Sequence, residues 1–178
     1  MDDRTEGFDR QMQQMIPAVL GDVSIRYLQR DDTDAYIALE KDEVVKRYVG
    51  GANPKTDAEL RGDINLYVAS CHLLAVASTK TNQYLGRCGY LKTECQKEKE
   101  IYLVLASQSQ KKGVGKIVVQ FLMELVSVEG FAPIAYLHPR NEASIKLFSS
   151  LGWVHVGTAT KNSYQKGHLK YTPSGSCF

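Results

Sequence analysis

Apolar positions along this chain follow two periods, and the switches between them divide it into elements. From residue 23 the pattern alternates through Val23, Ile25 and Tyr27, which predicts a strand over 23–28. Asp31 and Asp32 then offer N-caps for a helix reaching Leu39. Gly50, Gly51, Asn53 and Pro54 break the chain, and Asp57 can cap a second helix through Leu60, Ile64 and Leu66 to Val68. Three short runs rich in apolar, β-branched and aromatic residues follow at 73–79, 84–91 and 101–105. The polar stretches 80–83 and 92–99 separate them, so they read as an antiparallel meander. The spacing then turns helical, with Ile117, Val118, Phe121, Leu122, Leu125 and Val126 on one face, closed by Gly130 and Pro133. Residues 134–137 form a short apolar strand, 141–151 a helix ended by Gly152, 153–158 a closing strand and 164–171 its partner.

Ahead of residue 23 the pattern is ambiguous. Phe8, Met12, Met15 and Ile16 line one helical face before Pro17 interrupts it, with Val19 and Leu20 beyond; an added helix and a loose extension fit equally. The order β-α-α-β-β-β-α-β-α-β-β describes one mixed α/β domain over 23–172, with an N-terminal extension at 1–22 and a tail at 173–178. A chain of 178 residues suits a single core. The formal net charge of +2 gives no reason to expect nucleic acid or a membrane surface as the main partner. No apolar run is long enough to span a bilayer, and the start of the chain lacks the basic and apolar regions of a signal peptide, so cytoplasm is the expected location. Cys71, Cys88, Cys95 and Cys177 are scattered and form no CxxC pair, and the four histidines add no ligand spacing. Reduced thiols and no metal are expected.

The segment that carries chemistry is Leu103-Val-Leu-Ala-Ser-Gln-Ser-Gln-Lys-Lys-Gly-Val-Gly-Lys116. A strand runs through a glycine-bearing turn straight into an amphipathic helix. The first-turn N–H groups of that helix form an anion site, reinforced by Lys111, Lys112 and Lys116. Gly113 and Gly115 would let a phosphate approach the backbone. A Walker A loop needs glycine where Gln110 stands and Ser or Thr where Ile117 stands; a dinucleotide fingerprint needs glycine at Val118. Neither pattern is present.

Gln110-x-x-Gly113-x-Gly115 resembles the Q/R-x-x-G-x-G/A pyrophosphate loop of the GNAT superfamily of N-acetyltransferases. Asn141-x-x-Ser144 followed by Leu151-Gly152-Trp153 resembles the N-x-x-S…L-G-F segment of its second half. Val23-Ser-Ile-Arg-Tyr-Leu, Asp31-Asp32 and Arg47-Tyr48-Val49-Gly50-Gly51 are similar to the opening of one branch, which acetylates ribosomal-protein N-terminal alanines and related small amines. The resemblance covers roughly 23–157. It implies a mostly antiparallel sheet, splayed at the cofactor site and flanked by helices, with acetyl-CoA as the donor and no metal. Pantetheine would lie along Leu103, Val104 and Leu105, bonding to the backbone like an added strand. The pyrophosphate would sit on Gln110, Lys111, Lys112, Gly113, Val114, Gly115 and Lys116, with Asn141 on the pantetheine or phosphate arm. Strand 134–137 would diverge from 103–105 to admit the thioester.

The same resemblance places a base at Glu100, matching the glutamate of the branch's E-I-G-Y segment, and a thiol proton donor at Ser144. Burial would strengthen Glu100 as a proton acceptor. Many GNAT enzymes carry a tyrosine four residues after that serine; here it is Phe148. Tyr102 stands where the branch has glycine, implying a narrower acceptor pocket. Plainer readings stand beside these. Asn141 is a good N-cap, Ser144 is ordinary on a first helical turn, and Glu98-Lys99-Glu100 suits a solvated face. Tyr90, Tyr102 and Tyr136 fit core aromatics. The function implied is acetyl transfer to a primary amine, a peptide N-terminus or a small molecule, by direct attack. An acyl-CoA-binding regulatory module is the alternative, and a homodimer is left open.

Overall fold

Strand alternation sends side chains to two faces of one sheet, and each face carries its own apolar cluster. The computed structural model describes residues 14–49, 55–70, 73–159 and 166–175. Its elements in chain order are β1 (Ala18–Leu20), β2 (Val23–Tyr27), α1 (Thr33–Lys41), α2 (Glu43–Lys46), α3 (Asp57–Ser70), β3 (Leu74–Ser78), β4 (Tyr84–Lys92) and β5 (Glu98–Leu105). Then come α4 (Val114–Val128), β6 (Ala132–Leu137), α5 (Glu142–Ser150), β7 (Trp153–Thr158) and β8 (Leu169–Pro173). The eight strands lie in the order β1-β2-β3-β4-β5-β6-β8-β7. Among the described residues, only β5 and β6 run parallel; every other pair is antiparallel. This is the mixed α/β, mostly antiparallel architecture the sequence predicts.

On one face, α4 packs Val118, Leu122, Leu125 and Val126 against Ile25, Leu74, Val76, Cys88 and Ile101, with Phe148 and Trp153 in the same cluster. Leu122 and Leu125 are fully buried, each worth about 2 kcal/mol by area removed from water. The other face carries Tyr36, Ile37, Leu39, Val45, Leu60 and Ile64 from α1–α3, packed on Ala75, Tyr84, Val104 and Ala106. A bulge lets β4 serve both faces: Val76 pairs with Gly86 but Ala77 pairs with Tyr84, so Leu85 is the extra residue. Burial raises the Cys88 thiol well above its usual range, while Cys95 is exposed. Cys71, His72 and Cys177 lie outside the described residues. No helix among the described residues is long and apolar enough to cross a membrane.

Several local expectations change. Residues 18–20 add an edge strand to β2, too short to show a period. Phe8 and Met12, the break at Gly50, Gly51, Asn53 and Pro54, and residues 160–165 lie outside the described residues, and the last strand begins at Leu169 rather than 164. Thr56, not Asp57, caps α3: its hydroxyl accepts from the Glu59 N–H, and Glu59 Oε2 accepts from the Thr56 N–H at 2.7 Å. Leu66, expected on the buried stripe, is 69% exposed. The run Glu98-Lys99-Glu100 is the start of β5, and Lys99 and Glu100 are buried, not solvated. Lys99 is accommodated by ring faces, its Nζ lying 4.4 Å from the Phe131 centroid and 5.4 Å from that of Tyr90.

Asp32 makes no capping bond to α1. Its carboxylate instead takes both ends of the Arg26 guanidinium, at 2.8 and 2.9 Å, and the Gln29 N–H at 2.8 Å. Arg26 also bonds Asn82 in the β3–β4 turn. Both partners are buried, so removing one strands a charge in low dielectric. Asp32→Ala should lower unfolding free energy by about 3 kcal/mol or more, measured by urea denaturation.

Candidate functional site

The sheet parts between its two parallel strands. β5 and β6 share only the pairs Glu98↔Ala132, Lys99↔Pro133 and Glu100↔Ile134. Beyond Ile134, β6 pairs with β8 instead, through Ala135↔Tyr171, Tyr136↔Lys170 and Leu137↔Leu169. Residues 101–105 of β5 therefore pair with β4 alone. The Ala106 N–H donates to the Leu85 carbonyl, so alternation turns the backbone groups of Leu103 and Leu105 toward the gap. Val104 is turned the other way. Its carbonyl would stand 2.2 Å from a Cβ on Gly86, and its side chain is in the α1–α3 cluster. Gln110 Nε2 donates to the Leu105 carbonyl at 3.0 Å, so that oxygen is engaged by the chain itself.

The loop into α4 leaves a shorter cradle than the motif implies. The Gln110 N–H is bonded to the Ser107 carbonyl and the Lys116 N–H to that of Gly113. Between them, no hydrogen bond within the described residues engages the N–H groups of Lys111, Lys112, Gly113, Val114 and Gly115. Lys111 and Gly113 both take left-handed backbone conformations, at φ 59° and 80°. The two glycines differ. A Cβ on Gly113 would meet nothing within 4 Å, whereas one on Gly115 would meet Leu147 Cδ2 at 3.1 Å, with Leu103 and Leu105 behind it. Gly113 leaves the loop open to a ligand; Gly115 lets α4 sit close on β5 and α5. Lys111, Lys112 and Lys116 are exposed around the cradle, so N–H dipoles, helix end and ammonium groups all favour an anion there.

Asn141 caps α5, its Oδ1 accepting from the Ser144 N–H at 3.2 Å. That fixes the amide orientation and leaves Nδ2 as a donor. Ser144 is half-buried on the same first turn. Phe148, one turn on, is in the core, edge to face with Trp153 at 4.9 Å. Phe148 therefore serves the core and supplies no hydroxyl at this position.

Glu100 stands at the vertex of the gap, in the last pair β5 and β6 share, and alternation places it on the α1–α3 face. Tyr136 lies near it. Burial pushes the Tyr136 hydroxyl up, Lys170 pulls it back, and Glu100 and Glu98 add to the rise. Lys170 is held by both oxygens of Glu98 at 2.8 Å. Tyr102 leans away from the gap: its hydroxyl would stand 2.8 Å from a Cβ on Gly89 in β4, and Arg87 lies 5.9 Å from its ring. The slot opened by Gly89 takes the ring, so Tyr102 lies over β4 rather than in the β5–β6 gap. Tyr90 has a structural role, its hydroxyl bonding the Glu129 carboxylate at 2.9 Å.

The motifs gave no warning of Asp42. Its carboxylate accepts from Ser107 Oγ at 2.5 Å and from the Val44 N–H at 2.8 Å, and the Ser107 bond holds it below the usual carboxylate range. The contact joins residues 65 positions apart, which no local pattern reports.

A sheet parted beside a helix start rich in unbonded N–H groups fits the fold of acyltransferases that use acyl-CoA donors. Residues 22–154 match the family model described as the acetyltransferase (GNAT) domain, and the chain belongs to that family. No match was found among curated protein sequences. Among solved structures, a GNAT-family acetyltransferase from Bacillus anthracis superposes with a TM-score of 0.72 at 19% identity, over 86% of this chain and 93% of that one. Spermidine N-acetyltransferase from Vibrio cholerae, in complex with CoA and spermine, gives 0.69 at 14% identity, over 84% and 94%. The microcin C7 self-immunity acetyltransferase, in complex with acetyl-CoA and AMP, gives 0.67 at 13%, over 84% and 91%. At these identities the likeness is one of fold.

Phe148→Tyr tests whether that position is structural. The added hydroxyl should destabilise the protein by about 1–3 kcal/mol without raising any acyl-transfer rate. Thermal unfolding and turnover measured on the same preparation check both halves.

Proposed function

We propose that this protein is an acetyl-CoA-dependent N-acetyltransferase acting on a primary amine, in or near the branch that acetylates ribosomal-protein N-termini and small amines. We place it in the cytoplasm, with the catalytic domain over 23–172 and β1 as an added edge strand. The observation that carries this reading is the pair formed by the gap, with the buried Glu100 carboxylate at its vertex, and the five N–H groups left unengaged within the described residues at the start of α4.

The residues fit the cofactor. Leu103 and the Leu105 N–H offer a strand edge to the pantetheine amides. The N–H groups of Lys111–Gly115, with Lys111, Lys112 and Lys116, suit the pyrophosphate, and Asn141 Nδ2 adds a donor. Val104, Gln110 and the Lys116 N–H support this surface from behind. Bound acetyl-CoA would supply an activated acyl carbon and a thiolate leaving group. Glu100 would take the proton released by the attacking amine, directly or through water, and Ser144 would give one to the departing sulfur. A base is needed because at pH 7 roughly a tenth of α-amines, and well under a thousandth of lysine-type amines, are already neutral. The spermine in the Vibrio cholerae complex makes polyamines one acceptor to test beside peptide N-termini.

Glu100→Gln should lower kcat about a hundredfold or more at neutral pH, with part of the loss recovered at higher pH as more amine becomes neutral unaided. CoA affinity should be unchanged. Wild-type kcat across the pH range would remove the base assignment; Ser144→Ala should show a smaller loss, since water can donate. Calorimetry tests the cradle separately: Gly113→Glu places a carboxylate where phosphate must approach, and CoA affinity should fall at least tenfold in the folded variant.

A further inference from the structure

On the face where Glu100 stands, β5 continues through Tyr102 and Val104, and their partners on β4 are Leu91, Gly89 and Arg87 in that order. Val104 lies in the cluster under α1–α3, with Tyr102 and Tyr67 partly buried against it. Arg87, opposite Val104, keeps 17% of its side chain accessible. Its Nε donates to Glu40 Oε1 of α1 at 2.7 Å. Neither of its Nη groups takes part in a hydrogen bond among the described residues. Nor are they sealed off: among the described residues, the fully buried side-chain polar atoms without a partner are Tyr84 Oη and Trp153 Nε1. Burial works against the charge on Arg87, and Glu40 with Tyr102 more than offsets it, so the guanidinium stays ionised.

A guanidinium presents its donors in a fixed plane, and Glu40 occupies only the Nε side of it. The end-on pair of Nη donors is left over, and that pair matches the lone pairs of a carboxylate or carbonyl oxygen. Tyr102 connects this edge to Glu100. The Arg87 Cζ stands 5.9 Å from the Tyr102 ring centroid. Burial pushes the Tyr102 hydroxyl up, Arg87 draws it back, and Cys88, Tyr67 and Glu100 raise it again, so both charges act on the same group. The half-buried ring lies in the row between them, over Gly89, where β4 offers no side chain. The step along β5 from Glu100 to Val104 is about 13 Å, and the guanidinium shortens the span by standing beside that ring.

We propose that Arg87 is a specificity-determining residue of the acceptor side, its Nη edge taking a carboxylate or carbonyl oxygen that the acceptor carries several bonds from its amine. This rests on the acetyl-transfer reading and narrows it. With the amine at Glu100, the chain between amine and oxygen crosses the Tyr102 ring, an apolar floor suited to methylenes or an extended peptide. Glu40 is a positioning residue that fixes the plane of the fork. An acceptor ending in a second ammonium meets like charge at the same edge.

The test is acetyl-transfer kinetics with four amines of equal chain length, ending in a carboxylate, a carboxamide, a methyl group and a second amine. The wild type should favour one or both oxygen-bearing ends over the other two by about tenfold or more in kcat/KM, and their order says whether carboxylate or carbonyl is the natural group. Arg87→Met should erase that preference, mainly through KM, with CoA affinity retained; Arg87→Lys, which keeps the charge without the fork, should restore only part of it. Because the preference is a ratio within one preparation, partial loss of folded protein does not move it. Should Arg87→Met fail to fold with Glu40 left alone, the double substitution Arg87→Met/Glu40→Gln removes the stranded carboxylate and reads the same ratio. If the wild type favours the methyl or diamine acceptor or distinguishes none, or if the variants discriminate as the wild type does, the subsite is overturned while acetyl transfer stands. If the wild type acetylates neither these amines nor any of a wider panel that includes peptide N-termini, the transferase reading falls and the subsite with it.

Discussion

Parallel pairing between β5 and β6 stops after three residue pairs, and most of what this fold can do depends on that stop. A continued ladder would have consumed the backbone groups of Leu103 and Leu105 and left no strand edge for a ligand. The divergence is stable because each strand keeps a full partner on its other side: β4 holds β5 along its length, and β8 takes β6 over from Ala135. On the α4 face, Leu147 of α5, Leu103 and Leu105 all lie within 4 Å of where a Cβ on Gly115 would stand. An opening in a sheet normally exposes unpaired backbone on both edges. Here one edge is repaired by β8 and the other is kept for use.

That opening also explains where charge is tolerated inside the sheet. Arg26 and Asp32 neutralise each other through two bonds and serve architecture, linking β2 to the turn at Asn82. Lys99 is held over two rings. Glu100 lies at the position where the ladder ends, so its carboxylate is buried yet next to the gap. A carboxylate one residue later along β5 would face α4 and the apolar cluster instead. Its site on the α1–α3 face follows from strand parity, and so does its separation from the N–H cradle.

The sequence made the element order legible because long periodic segments such as α4 announce themselves, and the meander's strands are bounded by polar turns. The loop from Gln110 to Gly115 was legible as a motif, but its division of labour was not. Spacing cannot say that the Gln110 amide closes on Leu105, or that Val104 is turned to β4, since both depend on which edge of β5 stays open. The run Glu98-Lys99-Glu100 read as solvated because three consecutive charges usually are; tertiary packing overrode that pattern. Asp32 read as a helix cap, and its partner Arg26 sits six residues earlier on a strand whose direction the sequence does not give. Tyr102 read as an obstruction because the glycine that receives its ring lies on another strand.

The contrast between Gly113 and Gly115 shows why a short motif can be a weak signal and still be physically exact in its demands. One glycine answers to backbone conformation: at φ 80° a side chain would be strained, although nothing stands in its way. The other answers to packing: its backbone is helical, and the objection to a side chain is Leu147 at 3.1 Å. The residues between and before them contribute backbone N–H groups, so lysine at 111 and 112 and valine at 114 can serve the same cradle. Identity is therefore constrained at two positions for unrelated reasons. A side chain at Gly115 would act through distance, lifting α4 from β5 and moving the cradle relative to the strand edge. The close approach at Gly115, with the packing of α4 on β5, holds the N–H cradle and the strand edge in one geometry.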